Sequence, residues 1–277
     1  MDIKKTLSLI LGIILFGVAL ASCTESSSAK GATAPQTGSA SGEPDYSGWT
    51  ALLTKYYDPQ GGMNYKALKA GDAGTLQALR QKMAGVNVGS LSKKEQLAYW
   101  INLYNINVVS VVVEHYPLKS IRDLSTDPII RLNVFKTDRV PFGKGKIALN
   151  DIENDRIREG FKDPRIHFAI NCAAKSCPPI RTEAYRGAKI DEQLDDQARK
   201  FLNGPHGARV EMKGNTAVVH VTKIMDWFGD DFEKWGGGKQ AFLRRFLSGD
   251  NLAALKSAKT IRFDYDDYDW GLNDASK

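Results

Sequence analysis

Three observations predict an α+β fold in a single compact domain. Apolar residues recur at helical spacing in several stretches, among them a run of about 24 residues between Ser92 and Pro117. Two pairs of β-branched segments are separated by turn residues, as at Gly214-Asn215. Helices and strands alternate without the regular strand–helix–strand order of a parallel doubly wound sheet. The expected architecture is a long central helix, several amphipathic helices and a small mixed or antiparallel sheet.

The elements follow in order. Trp49, Leu52, Leu53 and Tyr56 open the folded body as a helix near Tyr46, and Leu76, Leu79 and Met83 mark a second one after the Gly61-Gly62 turn. Ser92 with Glu95 three residues on makes a capping box, and the helix it starts runs until Pro117 stops it. That helix is apolar on most faces and should be buried. Asn102, Asn105, Asn107 and Glu114 interrupt it, which argues against a membrane span. Asn102 and Asn105 share a face, where buried amides must be bonded, so they are expected to form a polar network. Asn133 to Leu149 reads as a hairpin turning at Gly143-Lys144-Gly145. Asn150 is expected to cap a helix to about Gly160, with Ile152 and Ile157 inward and Glu153 satisfying donors of its first turn. Arg165 to Asn171 has the composition of a short strand, Cys172 to Ser176 that of a loop, and Pro178-Pro179 blocks regular continuation. An amphipathic helix spans Ile190 to Leu202. A second hairpin pairs Arg209–Met212 with Ala217–Val221, helices cover Met225–Trp235 and Gln240–Leu247, and Thr260–Phe263 is the last strand.

Of the 277 residues 42% are hydrophobic and 25% charged, an ordinary globular balance. The net charge of +6 is spread without a dense basic tract, which argues against a nucleic-acid partner. The N-terminus reads as targeting sequence. Lys4 and Lys5 precede an apolar run from Leu7 to Ala21, shorter than the ~20 residues that cross a bilayer. The run ends in Leu20-Ala21-Ser22-Cys23, which resembles the lipobox of bacterial lipoproteins. That resemblance implies cleavage before Cys23 and acyl chains on its sulfur and amino group, enough to hold the protein at a membrane. Thr24, in place of Asp, implies the outer membrane, facing the periplasm. Residues 1–22 are thus assigned to the signal peptide, 23–45 to the lipidated cysteine and a flexible Ser/Gly/Ala/Pro linker with a reach of about 25 Å, 46–274 to the domain and 275–277 to a tail. Cleavage removes Lys4, Lys5 and Asp2, so 38 − 2 = 36 basic and 32 − 1 = 31 acidic residues remain, a net charge of +5.

Several stretches together resemble the bacterial family called domain of unknown function 547. They are AYWINLYN (Ala98 to Asn105), ALNDIEN (Ala148 to Asn154), RIHFAINCAAKSCPP (Arg165 to Pro179), DWFGDDF (Asp226 to Phe232) and the tail DYDDYDWGLND. The resemblance runs from about Tyr46 to Asp274. It implies a single compact domain, often on exported or lipid-anchored proteins, and names no activity. Ala148 stands where the family pattern more often has Ser, which weakens a role for a hydroxyl there.

The candidate chemistry lies in the Arg165–Pro179 stretch. One reading makes a cysteine the nucleophile with His167 as base and Glu153 or an Asn orienting the imidazole. On a regular strand His167 and Asn171 share a face and Cys172 lies on the other, so Cys177, further into the loop, is the favoured nucleophile and Asn171 a favoured helper. A second reading closes Cys172 and Cys177 into a structural disulfide, worth about 2–3 kcal/mol at best for so short a loop. A zinc site of His167, Cys172 and Cys177 fits no familiar spacing, and no cofactor is expected. The function expected is a lipid-anchored cell-envelope protein that binds or scaffolds a protein or envelope polymer. The alternative is a thiol-dependent hydrolase or acyl/peptidyl transferase acting on a peptide or envelope polymer.

Overall fold

The computed structural model describes residues 42–125 and 133–276. The leader, Cys23 and most of the linker lie outside the described residues. Glu43 and Asp45 already belong to the folded body: Glu43 pairs with Arg186, and Asp45 with Lys82.

Helix α1 (Ser47–Tyr56) and α2 (Tyr65–Ala84) are joined by the two-residue strands β1 (Tyr57–Asp58) and β2 (Gly62–Met63). The second helix begins well before Leu76, because the Asn64 side chain accepts from Ala67 N–H at 2.9 Å and caps it. Helix α3 (Lys93–His115) is the long central helix, and an unbroken run from Leu97 to Val113 is buried. Its start has half of the capping box. Ser92 accepts from the Glu95 N–H at 3.2 Å, whereas the Glu95 carboxylate turns away to the Gly187 N–H at 2.8 Å.

The buried amides on α3 bond to backbone on neighbouring segments. Asn102 brackets Tyr185, donating to its carbonyl at 2.8 Å and accepting from its N–H at 3.0 Å. Asn105 donates to the Ala169 carbonyl and accepts from the Asn171 N–H, both at 2.9 Å.

Strands β3 (Asp138–Phe142) and β4 (Gly145–Ala148) form the first hairpin, turning at Gly143 with φ +58°. The segment after it departs from the expected capped helix. Ala148 occupies the cap position and its side chain makes no cap bond, and α4 (Leu149–Asp151) continues into a π-helical stretch, Ile152–Arg158, and then α5 (Glu159–Phe161). Asn150 therefore does not cap the helix, and Glu153 does not serve its first turn.

The strand expected at Arg165–Asn171 is instead a 3₁₀ turn over Pro164–Phe168. Its cause is local. The Asp163 side chain accepts from the Arg165 N–H at 3.0 Å, and Pro164 fixes the first-turn φ of a helix. Arg165 is then held among Asp163, Asp191 and Asp195. Propensity for strand yields to a strong helix start.

Helix α6 (Ile190–Leu202) packs against this turn and leads to the mixed sheet. Strands β5 (Ala208–Lys213) and β6 (Thr216–Val221) are antiparallel, turning at Gly214 with φ +61°. Four short helices follow: α7 (Ile224–Trp227), α8 (Gly229–Glu233), α9 (Gly238–Phe246) and α10 (Gly249–Ser257). The expected single helix over Met225–Trp235 breaks at Phe228, whose ψ of 29° leaves the helical region just before Gly229. Strand β7 (Thr260–Tyr265) returns parallel to β6. The mixed helix and strand content is that of an α+β domain.

Two apolar clusters result. One surrounds α3, and the other packs Phe168, Phe201, Phe232, Phe242 and Phe246 beneath the sheet. After β7 the chain becomes a strap laced to the cysteine loop: Ser176 N–H donates to Asp269 carbonyl, Lys175 N–H to Gly271 carbonyl, and Asn273 N–H to Ala173 carbonyl. The strap then docks on β2 through the Met63 and Ala275 N–H groups. Gly62, at φ +97°, is required there, because a Cβ would collide with the Asn273 carbonyl.

Replacing Asn105 by Ala strands a buried carbonyl and a buried N–H. The expected loss is about 2–4 kcal/mol of unfolding free energy in urea titrations, against under about 0.5 kcal/mol for an exposed control such as Lys66→Ala.

Candidate functional site

The two apolar clusters meet at a partly open cavity of about 330 Å³. Tyr104 comes to it from α3, Glu153 and Asn154 from the π-helical stretch, and His167 and Ile170 from the 3₁₀ turn and its exit. Cys172, Cys177 and Pro178 come from the cysteine loop, Trp227 and Phe228 from the α7–α8 break, and Tyr268 and Trp270 from the strap. A π-helical turn displaces one residue from regular α spacing, a distortion common at functional sites, and here it carries Glu153.

The cysteines are a contacting pair of free thiols with sulfurs 2.9 Å apart. Cys177 Sγ also accepts from the Cys172 N–H, and the Tyr268 hydroxyl reaches Cys172 Sγ at 3.2 Å. These contacts separate their acidities. Hydrogen bonding from Cys177, then Tyr268 and the backbone of Ala174, pulls the Cys172 thiol below its ordinary value. Burial, then the neighbouring Cys172 sulfur, pushes Cys177 well above its own. Cys172 is also the less buried of the two. The order of preference read from strand alternation is therefore reversed. With the strand gone the alternation does not apply, and Cys172 is the sulfur placed to be a thiolate.

Asn171 stays out of the cavity lining. Its side chain donates to the Pro178 carbonyl and accepts from the Ala173 N–H, both at 2.7 Å, and also accepts from Asn273 Nδ2 at 3.3 Å. It thus ties both ends of the cysteine loop and holds Ala173 at φ +63°, a conformation that costs a residue with a Cβ. Its role is to position the loop.

His167 and both sulfurs line the same cavity, although the imidazole bonds to neither. His167 Nε2 pairs with Asp231 at 2.8 Å, and its Nδ1 has no partner among the described residues. Burial lowers the imidazole's basicity, so Nε2 carries the hydrogen to Asp231 and Nδ1 is a bare acceptor. Bonds from His167 and then Arg158 hold Asp231 well below the usual carboxylate range. Phe228 stacks on the ring at 4.1 Å between centroids. The carboxylate orienting the imidazole is therefore Asp231, within DWFGDDF, and neither Glu153 nor an asparagine fills that place. No spacing in the sequence pairs positions 167 and 231.

Glu153 has a different environment. Its only hydrogen bond among the described residues is a long one from the Tyr104 hydroxyl, 3.4 Å, and burial pushes its carboxyl up to about 7. Such a group exchanges its proton near neutrality, as a general acid or base requires. Tyr268, Trp227 and Trp270 complete the rim, with Trp227 45% exposed.

Residues 88–202 match the family model described as Protein of unknown function, DUF547. The match is narrower than the Tyr46–Asp274 over which the quoted motifs resemble that family. It covers Tyr104, Glu153, His167 and both cysteines, and ends before Asp231 and the aromatic rim. No curated protein and no solved structure matches the chain.

The Glu153 value fixes the sign of a pH effect. Between about pH 4.5 and 7 the folded chain keeps a proton that the unfolded chain has released, so this group makes stability fall as pH rises through that window. Glu153→Gln removes that slope. Between pH 5 and pH 8 the variant should gain up to about 3 kcal/mol on the parent, at ~1.36 kcal/mol per unit, in urea titrations across pH.

Proposed function

We propose that the domain is a thiol-dependent acyl-transfer enzyme, a hydrolase or acyl/peptidyl transferase, with Cys172 as nucleophile. One observation supports this above the others: a thiol whose pKa is lowered by hydrogen bonds from Cys177, Tyr268 and the Ala174 backbone shares a cavity with a carboxyl poised near pH 7. The Cys172 thiolate adds to an acyl carbonyl of a peptide or envelope polymer, and the carbon's bond to the departing nitrogen or oxygen breaks. Glu153 gives its proton to that leaving group. A water or second nucleophile then loses a proton to the Glu153 carboxylate and attacks the thioester carbonyl, and the thiolate departs. His167, bonded to Asp231 through Nε2 and covered by Phe228, forms part of the wall of that cavity. Asn171, through the loop, positions Cys172.

The same proposal places the enzyme at the bacterial cell envelope through acyl chains on Cys23, on the outer membrane facing the periplasm. The Leu20–Cys23 motif and the polar linker support this. Cells fed radiolabelled palmitate should label the full-length protein, and Cys23→Ser should abolish the label. Retention of the label in that variant removes the anchor from the proposal.

Alkylation with iodoacetamide, followed by peptide mass mapping, tests the nucleophile. Cys172 should label at least about tenfold faster than Cys177 at pH 7. Tyr268→Phe and Cys177→Ala should each shift the pH midpoint of Cys172 labelling upwards by removing a donor. Labelling of Cys177 first overturns the assignment. No labelling until reductant is added, followed by two labels per molecule, shows a disulfide and overturns the resting thiolate.

A further inference from the structure

The thiol chemistry uses one hydroxyl of the aromatic wall, that of Tyr268, and leaves the ring faces there without a role. Trp227, Tyr268 and Trp270 form a continuous aromatic group, with centroids 4.8 Å apart for Trp227–Tyr268 and Tyr268–Trp270 and 5.8 Å for Trp227–Trp270. These are spacings of rings in mutual contact, so no cation fits between them, and they act as a shelf rather than a cage. The Arg122 guanidinium lies 5.0 Å from the Trp270 ring centroid and fixes that ring. Elsewhere the lining offers the side-chain amides of Asn150 and Asn133. Asn150 makes no side-chain hydrogen bond among the described residues, and Asn133, whose Oδ1 accepts from the Phe135 N–H at 2.9 Å, offers its Nδ2. Among the described residues no Lys or Arg lines this cavity.

These features select a ligand. Among the described residues the lining carries no cation, and the Arg122 and Arg158 guanidinium groups stack on the Trp270 and Phe228 rings, so the described lining offers an anionic group no direct partner. The negative faces of the rings favour weakly positive C–H groups. Amides in the same lining favour hydroxyl or amide groups at a ligand's edge. A pyranose ring has one C–H-rich face and a hydroxyl edge, and combines both demands in one rigid unit. An extended peptide would instead ask for a row of free backbone groups. The cysteine loop's N–H groups are already committed, to the strap, to Asn171 and within the loop.

We propose that this cavity binds a neutral glycan, with one sugar ring seated on the Trp227–Tyr268–Trp270 shelf and its polar edge towards Asn150 and Asn133. The inference rests on the reading of the cavity as a substrate site, and it assigns the acyl-transfer substrate to the sugar-bearing polymers. A volume of about 330 Å³, at the small end of ligand sites, suits one or two rings of such a chain.

Isothermal titration calorimetry of the domain with chitotriose and with maltotriose tests this, with acetyl-trialanine amide and choline chloride as comparison ligands. At least one of the two glycans should bind saturably, to the parent and to Cys172→Ser alike. Trp227→Ala, at an exposed ring that the core does not need, should weaken that binding about tenfold. Absence of glycan binding, saturable binding of the peptide or choline instead, or unchanged affinity in Trp227→Ala overturns the proposal. Iodoacetamide labelling of the same samples separates the two readings. Fast Cys172 labelling without glycan binding removes the sugar and leaves the nucleophile, whereas glycan binding with a sluggish Cys172 does the reverse.

Discussion

Two amides on one buried helix set the geometry of everything around the cavity. A helix packed on nearly every side by Val, Ile and Leu gains burial in many rotational settings, because apolar contact has no direction. Asn102 and Asn105 remove that freedom. Each presents a donor and an acceptor at once to the backbone of a segment far away in sequence, and a shift of either would leave four polar groups unbonded in the interior. From Asn105 the constraint passes to Asn171, and from the Asn171 amide to both ends of the cysteine loop. The sulfurs are placed by a chain of hydrogen bonds that starts on the central helix.

Two carboxylates near the cavity show how environment sorts identical chemistry. Asp231 receives an imidazole and a guanidinium and remains charged at any physiological pH. Glu153 has lost water, and because burial outweighs the opposing Arg158 charge it holds its proton to neutrality. A site with one fixed charge and one labile proton can orient a base and shuttle hydrogen with separate groups, a division met in many enzymes.

What the sequence disclosed depended on the range of each signal. The Ser92 cap, the Pro117 stop, the amphipathic pattern of Ile190–Leu202 and the Gly214-Asn215 turn are local, and each element they specify is present. The Arg165–Asn171 segment has the aromatic and β-branched content of a strand, yet Asp163-Pro164, a two-residue helix start, overrides that propensity through its hydrogen bond. Alternation along a strand favours Cys177, whereas the turn lets both sulfurs reach one cavity. The cap assigned to Asn150 failed because Ala148 starts the helix two residues earlier. Tyr268, Trp270 and Asp231 stand in stretches that draw attention in the sequence, but nothing there makes them neighbours of Cys172 or His167. Nothing in a one-dimensional pattern pairs residues 60 to 100 positions apart unless they share a periodic element.

The cysteine loop has a history as well as a structure. Its hydroxyl donor, Tyr268, and the partners of three of its backbone hydrogen bonds belong to the strap, which follows β7 in the chain. Contacts of such long sequence separation are closed late, since the intervening chain must be ordered first. Until the strap is seated, Cys172 lacks the Tyr268 hydroxyl and the loop lacks its bonds to Asp269, Gly271 and Asn273, so both thiols owe their finished surroundings to the last stretch of the chain.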